Sequence, residues 1–289
     1  MLGAAWIADI AVLPAIAASS NGRLVAIASR ETSRAQQLAS KHSIARVSAS
    51  YESLLEDAEV DAVYIPLVNN LHKEWTVRAL AAGKHVLCEK PLGMDAAEAE
   101  EMAVAAGAAD RLLMEAFMYR FHPRIRRFVE GLRDPIHVQA SFGFTLHDPV
   151  NYRLQSALGG GALLDVGCYT VSVARWILGE PDDVLARARV DGVDLSVSAL
   201  LHFSGGPTAS LWASFESAEH QEVTVLDKEA IHRLDRPFNP KDADDPYRLM
   251  VESFADSALH GRPVAIPLSE SIANMRVLDR IRAATETRP

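Results

Sequence analysis

The chain has 289 residues, 49% of them hydrophobic and 23% charged, and a formal net charge of −9 at pH 7. This composition is typical of a soluble globular protein, and an acidic chain without a Lys/Arg cluster is not expected to bind nucleic acid. No apolar run approaches the roughly 18 residues of a membrane helix and Cys88 and Cys168 lack metal-ligand spacing, so we expect a cytoplasmic protein without membrane association or a metal site.

The first 120 residues alternate short apolar runs with stretches of helical periodicity. The runs at 23–29, 61–67, 84–89 and 111–117 are apolar almost throughout, which is typical of parallel strands covered by helices on both faces. Between two of them, apolar side chains recur at helical spacing from Leu71 to Ala82, and Gly83 follows as a stop signal. Repeated units of this kind predict a doubly wound parallel sheet, the Rossmann arrangement, over residues 1–121.

After residue 122 the pattern changes. A helix at 124–132 and a strand at 137–145 lead to three consecutive glycines, Gly159–Gly161, and to an apolar helix at 162–178. Five strands then follow without intervening helices, at 184–190, 195–203, 208–214, 222–226 and 231–234, and helices at 246–260 and 269–286 end the chain. This pattern predicts an α+β domain over residues 122–289, with a mostly antiparallel open sheet.

The first residues resemble a dinucleotide-binding turn. Such a turn needs small residues where the backbone approaches a pyrophosphate, and Gly3, Ala5 and Ala8 have that spacing at the start of a helix. The alternative is an ordinary alanine-rich helix start. Trp6 and Ile7 lie within the same turn and are candidate cofactor contacts.

The end of the second strand indicates which dinucleotide is bound. An NAD site usually places Asp or Glu here, whereas this chain has Ser29 and Arg30, a hydroxyl and a guanidinium that suit a 2′-phosphate. Glu31 could still reach a ribose, and Arg30 could be a solvated side chain. We expect NADP in preference to NAD.

Two further segments carry candidate catalytic groups. Glu89-Lys90-Pro91 ends a strand, at the sheet edge where ligands of such folds bind. Asp165 and Tyr169 are four residues apart on the predicted apolar helix and share one face. A buried carboxylate needs a partner, and Lys90 is the candidate; an ammonium beside the Tyr169 hydroxyl would equip it for proton transfer. Otherwise Asp165 caps a local turn and Tyr169 belongs to the core.

Three segments together resemble a known family. They are EKP at residues 89–91, EAFMYRFHP at 115–123 and GGGALLDVGCY at 159–169. Over almost its whole length the chain is similar to the glucose–fructose oxidoreductase / inositol dehydrogenase (Gfo/Idh/MocA) superfamily. Within it, the chain resembles the branch of trans-dihydrodiol dehydrogenase and NADP-dependent D-xylose 1-dehydrogenase.

This resemblance implies roles for individual residues. Lys90 would be the catalytic lysine and Tyr169 the acid/base, with Asp165 orienting Lys90; many other branches have a histidine in place of this tyrosine. A homodimer would form through the outer face of the second sheet. The cofactor-binding set is then Gly3, Ala5, Trp6, Ile7, Ser29, Arg30, Pro66, Leu67, Asn69, His72, Glu89 and Lys90, and the substrate-binding set is Lys90, Phe117, Arg153, Asp165 and Tyr169.

The sequence departs from this family in two places. Only Met1 and Leu2 precede Gly3, so the central first strand is truncated; we expect a weaker fold and a looser phosphate turn, or a true start further upstream. Relatives also carry an additional strand pair between Pro240 and Lys241, which puts the second sheet and its interface in doubt.

The resulting hypothesis is an NADP-dependent dehydrogenase or reductase that transfers a hydride to or from a CH–OH carbon of a sugar, polyol or trans-dihydrodiol. Two alternatives stay open. One is a cofactor-binding sensor or regulatory protein without catalysis, and the other is a redox glycosidase that retains its cofactor. A failed substrate panel despite cofactor binding would favour the first, and turnover without net cofactor consumption would favour the second.

Overall fold

The computed structural model describes residues 1–240 and 243–286. The chain folds into two compact units. The first contains Met1–Gly93, Ala97–Phe121 and Asp244–Ser271; the second contains Met94–Ala96, His122–Ala243 and the residues from Ile272 onward.

The predicted helices and strands are present, with ends that differ by up to about three residues, whereas β2, α2 and α3 of the following ranges are not among the predicted elements. The strands are β1 Ala26–Ile27, β2 Arg46–Val47, β3 Ala62–Ile65, β4 His85–Cys88, β5 Leu113–Glu115, β6 His137–Gly143, β7 Pro181–Asp191, β8 Val193–Phe203, β9 Thr208–Ser214, β10 His220–Leu226 and β11 Ile231–Asp235. The helices are α1 Leu13–Ala18, α2 Thr32–Lys41, α3 Tyr51–Leu55, α4 His72–Ala81, α5 Ala96–Ala109, α6 Pro123–Gly131, α7 Cys168–Leu178, α8 Pro246–His260 and α9 Leu268–Glu286.

The first unit contains the parallel sheet, and Met1–Gly3 joins its two parts. β1 pairs with β2, and β3, β4 and β5 pair in that order, all in parallel. Leu2 forms a parallel bridge to Ala28, and its N–H donates to the Tyr64 carbonyl at 3.0 Å on the other side. The Gly3 N–H donates to the Ala28 carbonyl at 2.8 Å. Although the first strand is short, Met1–Gly3 keeps backbone hydrogen bonds to the segments on both sides of it. The pairing that we expected the truncation to weaken is therefore present.

The segment Asp244–Ser271 belongs to the first unit, although it follows the second unit's sheet in the chain. α8 packs against α1 and against the short 3-10 helix Met118–Phe121. The predicted division at residue 121 treats the domains as two consecutive segments and does not include this return. Local periodicity identifies α8 as a helix but does not say which sheet it packs on.

The second unit contains a six-stranded sheet in the order β11-β10-β6-β9-β8-β7. All neighbours are antiparallel except β6 and β9, which are parallel. α7 packs against β6 and β9 on one face, so the predicted α+β architecture with a mostly antiparallel sheet is confirmed. The strand pair that we expect to be missing would lie between Pro240 and Lys241, and Lys241 lies outside the described residues.

The stretch Ser156–Leu178 is long and apolar enough to cross a membrane by composition alone. In this protein 83% of its most apolar window is buried within the fold, as in the core helix of many soluble proteins. It begins with a 3-10 turn, Ser156–Leu158, passes through the three glycines and continues through a π-helical turn, Leu163–Gly167, into α7.

The three-glycine turn holds the backbone of the preceding loop at close range. The Gly161 N–H donates to the Arg153 carbonyl at 2.9 Å, and Gly161 has a φ of +117°, which favours glycine. A Cβ on Gly160 would clash with the same Arg153 carbonyl oxygen. Gly160 therefore cannot accept a side chain unless the backbone of Arg153 moves.

We expect Gly160→Ala to destabilise the protein by about 2–4 kcal/mol, because the clash is with backbone that cannot rotate away. Denaturant unfolding of the variant and the wild type measures this difference. Gly131→Ala is the control, since a Cβ there meets nothing within 4 Å, and it should change stability by less than about 1 kcal/mol. Equal stability of both variants would contradict this account of the turn.

Candidate active site

The turn after the first strand has the shape of a phosphate-binding turn. Gly3 is buried with a φ of +103°, and a Cβ there would lie 2.8 Å from Leu67 Cδ2. Helical structure begins at Trp6, so the amides of this first turn have no partners within the helix and suit a pyrophosphate. Trp6 is 69% exposed, and Ala5 and Ile7 are half-buried beside it. These residues fit a dinucleotide.

The charged side chains near this turn include one that sequence reasoning missed. Arg30 is exposed after β1, and Ser29 is half-buried and accepts from the Glu31 N–H at 3.3 Å. Arg34, in the first turn of α2, donates to the Ala4 carbonyl at 3.1 Å, which brings its guanidinium to the phosphate turn. Its position five residues after Ser29 is a signal that could have identified it.

His72 connects two segments predicted to line the cofactor. It is completely buried at the start of α4; its Nε2 lies 2.9 Å from the Leu67 carbonyl and its Nδ1 lies 2.8 Å from the Pro91 carbonyl. Burial lowers the pKa of the imidazole, which favours the neutral ring, and a neutral ring donates to one of these carbonyls at a time. His72 thus holds the segment after β3 against the segment after β4. Pro66 and Asn69 are buried in the first of these segments.

Lys90 follows β4 among buried acidic groups of the first unit. Glu89 is 8% exposed and accepts from the Tyr64 hydroxyl at 2.6 Å. Glu115, fully buried at the end of β5, accepts from the Leu92 N–H at 2.9 Å. The peptide bond between Lys90 and Pro91 is cis. Lys90 itself is half-buried, and the buried carboxylates of Glu89 and Glu115 make hydrogen bonds on either side of it in the chain.

Two of the groups around this loop have shifted pKa values. Burial raises the pKa of Glu115 to about 7, against the opposing effects of Ser271, the Leu92 N–H and Lys90. Burial also raises the pKa of Tyr247, and the nearby Glu89 adds to the rise. Glu115 is therefore close to half-protonated at neutral pH.

In the second unit, Arg153 supplies the cation beside Asp165. Its Nε donates to Asp165 Oδ2 at 2.7 Å, and the carboxylate side chain is only 9% exposed. The sequence predicts a cationic partner for the Asp165 carboxylate and favours Lys90. Within the second unit, Arg153 is a partner of Asp165. Pairing of Asp165 with Lys90 stays a prediction. Asp165 also lies in the π-helical turn rather than in a regular α-helix, which periodicity does not predict.

Tyr169 lies in the first turn of α7 and is 7% exposed. Its ring packs against Phe142 and Phe238, with centroid distances of 5.6 and 5.4 Å. Tyr169 follows Asp165 by four residues, about one helical turn, and contributes electrostatically to the raised pKa of Arg153. Asp165, Tyr169 and Arg153 are thus brought together in one unit. Phe117, predicted to contact substrate, is 2% exposed in the first unit and packs edge-on against Tyr119.

Asp194 fixes the start of the helix that carries Asp165. Asp194 lies in β8, and its carboxylate accepts a hydrogen bond from the Leu163 N–H at 2.6 Å. A Cβ on Gly161 would clash with this carboxylate. Burial raises the pKa of Asp194 to about 6. No local pattern indicates this contact, since Asp194 lies 31 residues after Leu163.

Comparison with known proteins identifies the family. Residues 1–117 match the family described as "Oxidoreductase family, NAD-binding Rossmann fold", and residues 131–230 match the GFO/IDH/MocA C-terminal domain. The chain belongs to the GFO/IDH/MocA oxidoreductase family. The expected family, fold class and enzyme class are confirmed.

Individual relatives extend the match over nearly the whole chain. The chain is 38% identical to D-xylose 1-dehydrogenase (NADP(+)) 2 of Haloferax volcanii, covering 99% of this chain and 97% of the relative. It is 32% identical to the trans-1,2-dihydrobenzene-1,2-diol dehydrogenase of Xenopus tropicalis, covering 85% and 74%. The 3-ketoreductase KijD10 of Actinomadura kijaniata, solved with TDP-benzene and NADP, superposes with a TM-score of 0.89 at 31% identity, covering 98% and 96%.

The raised pKa of Glu115 predicts a pH-dependent stability. The folded state keeps a proton that the unfolded chain releases above its ordinary pKa of 4.5, so this contribution to stability is full below pH 4.5 and is lost as the pH rises to about 7. We expect Glu115→Gln, which keeps the neutral shape, to remove a decrease on the order of 3 kcal/mol between pH 4.5 and 7.5.

Urea unfolding at these two pH values measures the effect. Glu56→Gln removes an exposed carboxylate of the same unit and should keep the wild-type pH profile. The same decrease in wild type and Glu115→Gln would show that Glu115 ionises normally in the folded protein.

Proposed function

We propose that this protein is an NADP-dependent dehydrogenase or reductase acting on a CH–OH group of a sugar, polyol or trans-dihydrodiol. The observation that carries the proposal is the near full-length similarity to an NADP-dependent D-xylose dehydrogenase in a chain that has Lys90, Tyr169 and the buried Asp165. The Gly3 turn with Arg30 and Arg34 nearby supports a phosphorylated dinucleotide. We infer a cytoplasmic location from the soluble-enzyme character of the fold.

The chemistry divides between the cofactor and the protein. A bound nicotinamide supplies the hydride transfer. The Tyr169 hydroxyl takes the proton of the substrate hydroxyl during oxidation and returns it during reduction, and the Lys90 ammonium stabilises the developing alkoxide. Asp165 is a positioning residue: its carboxylate accepts a hydrogen bond from Arg153 Nε and orients the guanidinium.

A second proposal concerns assembly. The sheet face opposite α7 carries Gln139, Ser198, Leu200, Ser210 and Trp212, small or neutral side chains on three neighbouring strands. Leu185 on the next strand is 47% exposed. We propose that this face pairs with the same face of a second copy, as the family resemblance implies.

The dimer proposal is tested by the mass in solution. Light scattering at micromolar concentration should give twice the monomer mass. Ser198→Arg places a bulky charge on the exposed face without disturbing the core, and it should yield monomers. A monomeric wild type would rule out this interface.

The catalytic assignment predicts the effect of two substitutions. Lys90→Met and Tyr169→Phe should each lower kcat by about 100-fold or more, because each removes a group that stabilises charge or moves a proton in the transition state. NADPH affinity, measured by cofactor fluorescence, should change by less than about threefold. Lys228→Met, in the exposed turn between β10 and β11, is the control and should keep wild-type kinetics. Full activity in either of the first two variants would remove that residue from the mechanism.

A further inference from the structure

Gln221 in β10 is a polar side chain that the fold buries. It is 4% exposed, and its Oε1 has no hydrogen-bond partner among residues 1–240 and 243–286. The backbone carbonyl of this residue is satisfied, because it accepts from the Arg236 N–H at 3.0 Å. A buried amide oxygen without a hydrogen bond lowers the stability of the folded protein, so the side chain calls for a role other than stabilisation.

The register of β10 shows which face of the sheet carries Gln221. In the antiparallel pair of β6 and β10, Gln221 lies opposite Phe142, and directly opposite residues point to the same face. The Phe142 ring contacts the ring of Tyr169 in α7, so this is the face that α7 covers. Gln221 therefore lies on the same side of the sheet as Tyr169, opposite to the face proposed for dimerisation.

Phe142, the neighbour of Gln221, belongs to an aromatic cluster with Tyr169 and Phe238. Phe142 is half-buried, and its ring centroid lies 5.6 Å from that of Tyr169 and 5.4 Å from that of Phe238. The Phe142 ring supplies apolar surface but has no side-chain donor or acceptor, so it cannot satisfy the Gln221 amide. Apolar walls with a few placed polar groups are the usual lining of a small-molecule site.

The chemistry of a primary amide suits an alcohol. The Oε1 atom accepts hydrogen bonds and the Nε2 atom donates them, whereas a hydroxyl group can do both. An uncharged amide attracts neither anions nor cations strongly, so an uncharged ligand is favoured. Because Oε1 has no partner among the described residues, a ligand hydroxyl could bind to it without breaking a hydrogen bond between these residues.

We propose that Gln221 binds a hydroxyl group of the substrate other than the one on which Tyr169 acts, and that it thereby selects polyhydroxylated substrates. The inference rests on the proposed function, since it concerns the substrate of that reaction. The reacting hydroxyl becomes a carbonyl during oxidation, whereas a second hydroxyl stays a donor and an acceptor throughout. A substrate without this second hydroxyl would leave a buried amide unpaired in the complex, and the enzyme would discriminate against it.

The test removes the hydroxyl groups of one sugar singly. D-glucose and its 2-, 3-, 4- and 6-deoxy analogues are the probes, and kcat/KM is measured for each with NADP. Dissociation constants are measured by calorimetry with NADPH in place of NADP, so that oxidation cannot occur. The hydroxyl ratio of an analogue is the value of kcat/KM, or of the affinity, for D-glucose divided by that for the analogue. For one analogue the wild-type ratio should be about ten or more.

The deciding variant is Gln221→Met, which removes both polar atoms of the amide at nearly constant size. It should lower kcat/KM for D-glucose about tenfold and bring that one hydroxyl ratio to about one, while the other ratios stay as in the wild type. A general disturbance of the site would weaken all five sugars equally and leave every ratio unchanged. Gln37→Met makes the same change at an exposed position of α2 and should keep the wild-type values.

Stability gives a second readout. Since Met places no unpaired amide in the interior, Gln221→Met should raise the urea concentration at the midpoint of unfolding. A lower midpoint together with unchanged hydroxyl ratios would show that the amide serves the fold, and this result would overturn the inference.

The outcomes separate this inference from the proposed function. Absence of turnover with every sugar, polyol and dihydrodiol would count against the proposed function, and the dissociation constants with NADPH would still decide the role of Gln221. The same hydroxyl ratios in wild type and Gln221→Met, as expected if the amide holds only an ordered water, would overturn the inference, as would no binding of any of the five sugars. If Gln221→Met does not fold, Gln221→Leu decides by the same ratios, and failure of both variants to fold would overturn the inference.

Discussion

The burial of the Asp165 charge is the constraint on which the candidate site depends. A carboxylate in an apolar helix is costly unless a cation and hydrogen bonds compensate it, and Arg153 provides both through one short contact. This requirement fixes the loop that carries Arg153 against the three-glycine turn, where no side chain fits between them. Asp194 then holds the beginning of the same helix. Asp165 thus connects the loop that carries Arg153 to the helix that carries Tyr169.

In the first unit, buried polar side chains likewise hold the loop that carries Lys90. Its loop after β4 must present Lys90 at the end of a parallel strand, and the buried Glu89 and Glu115 fix the backbone and side chains around it. His72 holds this loop to the segment after β3. Buried polar groups with partners are expensive to assemble but hold functional loops more rigidly than apolar contacts do. Burial in this arrangement raises the pKa of Glu115 to about 7.

Much of the fold follows from local patterns in the sequence. Apolar runs predict the parallel strands, and the strands after residue 181 are predicted almost to their ends. Gly3 and Lys90 can be found because a phosphate turn and a strand end have local signatures, and Tyr169 because it follows Asp165 at helical spacing within a segment that resembles the family. What could not be predicted depends on contacts through space. The pairing of Asp165 with Arg153, the capping by Asp194 and the position of α8 each join residues far apart in sequence, and a π-helical turn has no periodic signature.

The proposed function requires that the protein bind a phosphorylated nicotinamide dinucleotide, and one titration addresses this most directly. Protein is added to NADPH and, separately, to NADH, and the fluorescence of the reduced nicotinamide is recorded. Because Ser29, Arg30 and Arg34 can donate to a 2′-phosphate, we expect saturable binding of NADPH at least about tenfold tighter than that of NADH. Binding of NADH as tight as that of NADPH, or of neither, would contradict the proposed function.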